Sequence, residues 1–143
     1  MHTPSQIRKL SIAAFVVLLI GCNSLPIETI DTTEVPPDQI LILQTEASAS
    51  TTQVIFKRSR WIIGSACPAR LFSNGVPLVD LYGGQRATFN LPQGSALFSA
   101  RLQGLPCPSE TREIRVELAP GKTRTFLFDV SQSWGIIFQE TAF

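Results

Sequence analysis

Three hydrophobic patterns succeed one another along the chain. Residues 10–20 are apolar except for Ser11. Residues 23–39 are mostly polar, with Pro26, Pro36 and Pro37 set among threonines and acidic residues. From Gln53 onward apolar positions recur with a period of two, the mark of strands with one buried face. Val54 and Phe56 oppose Ile55 and Lys57. Ala87, Phe89 and Leu91 share one face, as do Ala96, Phe98, Ala100 and Leu102. Ile114, Val116 and Leu118 alternate with Glu113, Arg115 and Glu117, and Phe126 and Phe128 lie opposite Leu127.

Turn residues punctuate these runs. Asn74-Gly75 joins 69–73 to 76–81 and supplies the two φ > 0 residues of a type I′ hairpin. Pro77 keeps the second of these strands near a sheet edge. Gly83-Gly84, Pro92-Gln93-Gly94 and Pro120-Gly121 make further turns. Residues 40–45 are apolar enough for an added edge strand, and 136–139 form the last strand. After residue 22 no apolar stripe of helical period runs for a helix's length. The pattern predicts an all-β domain over 40–143, an antiparallel β-sandwich of seven or eight short strands.

Residues 10–20 are too few to cross a bilayer, which takes roughly 20 in a helix. Arg8 and Lys9 precede them, giving the layout of a secretory signal. The run closes on Leu19-Ile20-Gly21-Cys22, which resembles a bacterial lipobox. That resemblance implies removal of 1–21 and lipidation of Cys22, so that the membrane becomes a partner through this anchor. An uncleaved anchor helix and an ordinary signal peptide are the alternatives. Residues 22–39 then read as lipidated cysteine and tether. Asn23 stands where an aspartate would favour the inner membrane. The expectation is therefore an outer-membrane lipoprotein facing the periplasm.

The formal charge of +1 falls to −1 without Arg8 and Lys9, since no acidic residue precedes Glu28. A nearly neutral domain lacks the basic surface for nucleic acid or a polybasic patch for anionic lipid. The single histidine is His2, inside the segment to be removed. The mature chain thus has no imidazole for a Ser-His-Asp or Cys-His site or for a histidine zinc site. No metal and no cofactor are expected. With Cys22 lipidated, Cys67 and Cys107 remain, each beside proline in loop-like sequence. They read as a disulfide in an oxidising compartment, against two separate buried thiols.

The order of features resembles a family of small bacterial lipoproteins of unknown function. It runs from Val54-Ile55-Phe56-Lys57-Arg58 through Gly64-Ser65, Asn74-Gly75, Val79-x-Leu81-x-Gly83-Gly84 and Leu91-Pro92-x-Gly94 to Pro120-Gly121-Lys122. It is also similar to the compact Pro-Gly-turn sandwiches of surface-layer-like domains. The likeness spans residues 52–141. Asn74 replaces the family's Asp, Gln93 splits a Pro-Gly pair, and Arg86 stands where an aromatic is common. The resemblance implies a fold and a location, and no catalytic residues.

Candidate binding residues are Trp61, Trp134, Tyr82 and Arg86. Trp61 with Arg58 and Arg60 could form an interaction surface, or Trp61 could cap the sandwich with its arginines in solvent. Trp134 could be a platform for a sugar or peptide, or a plug at the core edge. Tyr82, Asp80 and Arg86 could form a polar pocket around Gly83-Gly84, or a solvated turn. Glu113 and Glu117 share the wet face of one strand with Arg115, as soluble strands do. Three functions follow from these residues. The first is a non-enzymatic envelope module for a protein partner. The alternative is a glycan- or peptidoglycan-binding module using Trp61 and Trp134. The least favoured is a carboxylate enzyme, because no paired acids appear.

Overall fold

The computed structural model describes residues 31–60 and 64–142. Cys22, Trp61 and the segment read as a signal lie outside the described residues. Nine strands occur among those described: β1 (Thr33–Glu34), β2 (Thr51–Arg58), β3 (Ala69–Ser73), β4 (Val76–Leu81), β5 (Gln85–Pro92), β6 (Gly94–Leu102), β7 (Thr111–Leu118), β8 (Thr123–Val130) and β9 (Ile136–Thr141). They form two sheets, ordered β1-β5-β2-β8-β9 and β4-β3-β6-β7. The expected all-β sandwich is what the chain adopts.

Most pairings are antiparallel, but two are parallel: β1 with β5 and β2 with β8. Consecutive strands joined by tight turns must run antiparallel. β2 and β8 lie far apart in sequence, so no turn chemistry reports their pairing.

The alternation read from sequence fixes which side chains fill the interior. Phe56, Phe98, Phe126 and Phe128 are fully buried, with Phe89 nearly so. Phe56 of one sheet meets Phe98 of the other edge-on, centroids 5.0 Å apart, and Phe98 meets Phe126 at 5.1 Å. Each such ring contributes about 2–3 kcal/mol by burial alone. Edge-to-face geometry adds to that because the ring quadrupoles oppose.

The Asn74-Gly75 hairpin is as expected. Asn74 has φ 49° and Gly75 φ 81°, the left-handed pair that this turn demands. Asn74 Oδ1 also accepts from the Leu97 N–H at 2.9 Å, which ties the turn to β6. Register slips by one residue between Leu71 and Phe72, so β4 carries a bulge near its proline. Such a bulge fits an edge strand.

The folded part starts earlier than the sequence suggests. Residues 33–34 pair with β5, and Thr32 and Val35 are buried, all inside the stretch read as a tether. Conversely, residues 40–45 do not form the expected strand. A 3-10 turn at Pro37–Gln39 redirects the chain, and Ile40 makes a single bridge to Val79 of β4. The segment crosses from the edge of one sheet to the edge of the other and closes that side of the sandwich. Ile40 and Ile42 pack on the core from outside. Their apolar character reflects this covering role and not membership of a ladder.

Candidate functional site: an open strand edge and an aromatic end

The end of the sandwich at which β2 finishes is organised by Arg58. Its side chain is only 3 % exposed. Nη1 donates to the Cys67 carbonyl at 2.5 Å and the Leu81 carbonyl at 2.8 Å, and Nη2 donates to the Gly64 carbonyl at 2.6 Å. The guanidinium also sits 5.6 Å from the Phe128 ring centroid. Burial lowers its pKa to about 10, with Asp129 acting weakly in the opposite direction. Arg58 is therefore neither a surface ligand nor a solvated cation. It is an internal clamp joining three chain segments. Its neighbour Arg60 is exposed, donates to the Asp31 carbonyl at 3.3 Å, and lies over Gly84. Gly84 has φ +79°, and an added Cβ would fall 2.7 Å from Arg60 Nε.

The polar cluster expected around Gly83-Gly84 does not converge. Asp80 faces Arg70 across the β3–β4 hairpin in a two-pronged pair at 2.8 and 2.7 Å. Hydrogen bonding to Asp80 raises the Arg70 pKa, with desolvation opposing it. Arg86 turns to the opposite side. It pairs with Glu34 at 2.9 Å and with Thr32 through its carbonyl and hydroxyl, which pins the start of the folded chain to β5. Tyr82 keeps its ring in solvent, 42 % exposed, while its N–H donates to Gln85 Oε1 at 2.8 Å. Salt bridges draw Asp80 and Arg86 to separate partners, so the three do not converge.

Trp134 is presented outward, 48 % exposed. Its φ of 64° is left-handed, an outlier for a bulky side chain. Three bonds hold it there. Ser131 N–H donates to the Gly135 carbonyl at 2.8 Å, Trp134 N–H to the Ser131 carbonyl at 2.9 Å, and Gly135 N–H to Ser131 Oγ at 2.9 Å. It is not a core plug. Cys67 and Cys107 are joined, with Cα atoms 5.9 Å apart, and tether the 104–110 loop to the segment before β3.

One site escaped sequence reasoning. A groove of about 620 Å³ runs between residues 34–44 and the outer flank of β5. Val35, Pro37, Ile40 and Ile42 form one wall, and Thr88 and Asn90 the other. On this flank Val35 N–H donates to the Arg86 carbonyl, whereas Gln93 N–H donates to the Ser50 carbonyl on the opposite flank, toward β2. Beyond Arg86, side chains reach across. Gln44 Nε2 meets the Thr88 carbonyl at 3.4 Å, and Asn90 Nδ2 meets the Thr45 carbonyl at 3.1 Å. Because backbone groups alternate along a strand, Thr88 and Asn90 point theirs into the groove. Apolar residues at 40 and 42 beside polar 44 and 45 were the only signal, and they read equally well as a strand.

Lys57 was also not foreseen as interior. It is fully buried on the face of β2 opposite Phe56, and it is engaged there. Among the described residues, no group of three or more His, Cys, Asp or Glu is placed to hold a metal ion. No helix among them is long and apolar enough to cross a membrane. No protein-family model and no curated protein matches the chain, so the family resemblance rests on the turn motifs alone.

Proposed function

We propose that the chain is a membrane-tethered envelope lipoprotein, non-enzymatic, whose sandwich holds an extended segment of a protein partner. The groove along β5 carries this reading. A strand edge with backbone groups facing an apolar-walled channel suits a peptide that adds as a further strand, main chain for affinity and alternate side chains for selectivity. The location is supported by the basic, apolar and Leu19-Ile20-Gly21-Cys22 succession. The Cys67–Cys107 bond suits an oxidising compartment such as the periplasm.

Site-directed photocrosslinking in intact envelopes tests this. A photoreactive residue at Thr88 or Gln44 should capture a discrete partner, identified by mass spectrometry. One at Arg115, on β7 of the other sheet, should not. Monomer alone at every groove position would refute the proposal. The glycan-binding alternative draws on the exposure of Trp134 and is tested with purified sacculi. Binding unchanged in Trp134→Ala removes that residue from any sugar site.

A further inference from the structure

Strand directions bring four features to one end of the sandwich. β2 and β8 both finish there, and β5 begins there, since Lys57 faces Arg86 and β2 runs parallel to β8. The Tyr82–Gly84 turn and the Trp134 loop therefore share this end. In the second sheet Ala69 faces both Leu81 and Leu102, which puts the 103–110 loop at the same end. Finally, β1 runs parallel to β5 from Thr33 opposite Gln85, so the chain comes into the fold from this side.

The residues shown to solvent here are Trp134 at 48 %, Tyr82 at 42 % and Leu105 at 98 %. Both exposed aromatics among the described residues are at this end. Three of the carboxylates nearby are matched, Glu34 with Arg86, Asp80 with Arg70 and Glu110 with Arg112, and Asp31 and Asp129 also lie at this end. The opposite end, at Asn74-Gly75 and Pro120-Gly121, offers Val76 as its exposed large apolar side chain.

We infer that this end rests on the headgroup layer of the bilayer that holds the chain, with Trp134, Tyr82 and Leu105 as the contacting residues. The inference rests on the lipid-anchor reading of Cys22. Eight residues, 23–30, separate Cys22 from Asp31. Fully extended they reach about 30 Å. A strand such as β6, with nine residues, is itself about 30 Å long. The aromatic end is thus a whole domain length nearer the anchor than the far turns.

Tryptophan and tyrosine favour the water–lipid boundary because an apolar ring carries a polar tip. Such contacts are weak one by one. A tether makes them intramolecular, at an effective concentration that can reach millimolar, so weak contacts suffice. With a mature charge near −1, the contact is apolar and insensitive to salt. The left-handed Trp134 backbone is then the means by which a bulky ring is kept out of the core.

The test uses the full chain purified from membranes and reconstituted in phosphatidylethanolamine–phosphatidylglycerol vesicles. A fraction of the lipid carries a nitroxide high on the acyl chain. The expected result is tryptophan quenching in the wild type, a smaller loss of emission in Trp134→Phe, and a smaller loss in Tyr82→Ser/Leu105→Ser, which keeps Trp134. The mass of the same preparation reports the diacylglyceryl group on Cys22. A lipidated chain whose quenching is equal in the wild type and Trp134→Phe overturns the inference alone. A chain without the lipid mass overturns the anchor reading and this inference with it. Trp134 emission that responds to soluble peptidoglycan fragments but not to the nitroxide overturns it in favour of glycan contact.

Discussion

Replacing Arg58 by methionine sets two large energies against each other. Burying a guanidinium costs several kcal/mol of lost hydration. Against this stand three hydrogen bonds from a charged donor, at 2.5, 2.6 and 2.8 Å, each worth about 1.5–3 kcal/mol. Methionine keeps much of the volume and removes both the cost and the donors. The carbonyls of Gly64, Cys67 and Leu81 then lose these charged donors at a buried junction. Unpaired buried acceptors cost about 1–3 kcal/mol apiece, and partial relaxation of the 64–67 loop recovers some of this. The expected net loss is about 3–4 kcal/mol, a large share of the roughly 5–15 kcal/mol of a typical domain.

Urea unfolding with the disulfide intact, followed by fluorescence, measures the loss. For a urea slope of about 1.5–2 kcal/mol/M the midpoint should fall by about 2 M. Arg58→Lys keeps a charge but lacks the fork that reaches three acceptors, so it should fall between methionine and wild type. The pH dependence is also fixed. A folded pKa lowered to about 10 lies below the unfolded value. Above pH 10 the unfolded chain therefore binds more protons, and this group adds stability as pH rises. Below that, Arg58 is charged in both states, so the methionine penalty should be flat from about pH 5 to about pH 9. A methionine variant as stable as wild type, or more so, would show that desolvation outweighs the bonds and that Arg58 is not a clamp.

Other outcomes are equally definite. Cys67→Ala/Cys107→Ala should lose about 4 kcal/mol for a closed loop of this length, read as a lower urea midpoint. Trp134→Gly should be more stable than Trp134→Ala by about 1 kcal/mol, since only glycine accepts the left-handed backbone without strain. Equal midpoints for the two would mean the loop relaxes. Phe98→Ala, which removes a ring touching both Phe56 and Phe126, should cost about 3–5 kcal/mol. Gly75→Ala meets no steric contact but needs φ near +81°, and should cost about 1 kcal/mol in the same assay.

Local chemistry was legible where it is local. The Asn74-Gly75 hairpin, the inward faces of β5 and β6 and the turn at Gly83-Gly84 follow from period two and turn residues alone. The disulfide followed from the prolines beside each cysteine and from the expectation of an oxidising compartment. What depended on distant partners was not legible. Arg58 ends an alternating strand and reads as a surface charge, because its three acceptors come from loops and a strand end that only the fold brings together. Arg86 and Asp80 looked like neighbours, yet each has a better partner on a different strand. Residues 40–45 carry the composition of a strand without its pairing, since the 3-10 turn before them sets the crossing between sheets. The groove exists because that crossing leaves β5 uncovered, and composition does not encode a gap.

The parallel partnership of β2 with β8 has a consequence for how the chain is made. Gln53 waits for Thr123, seventy positions downstream. Until the last third of the polypeptide has emerged, the middle of the larger sheet has one side bare. Any product that stops before residue 123 keeps β2 as an exposed apolar edge, the kind that recruits other chains into aggregates. Completion of the β8–β9 hairpin is thus the step that makes this molecule safe to release, and premature termination there should deliver it to proteases.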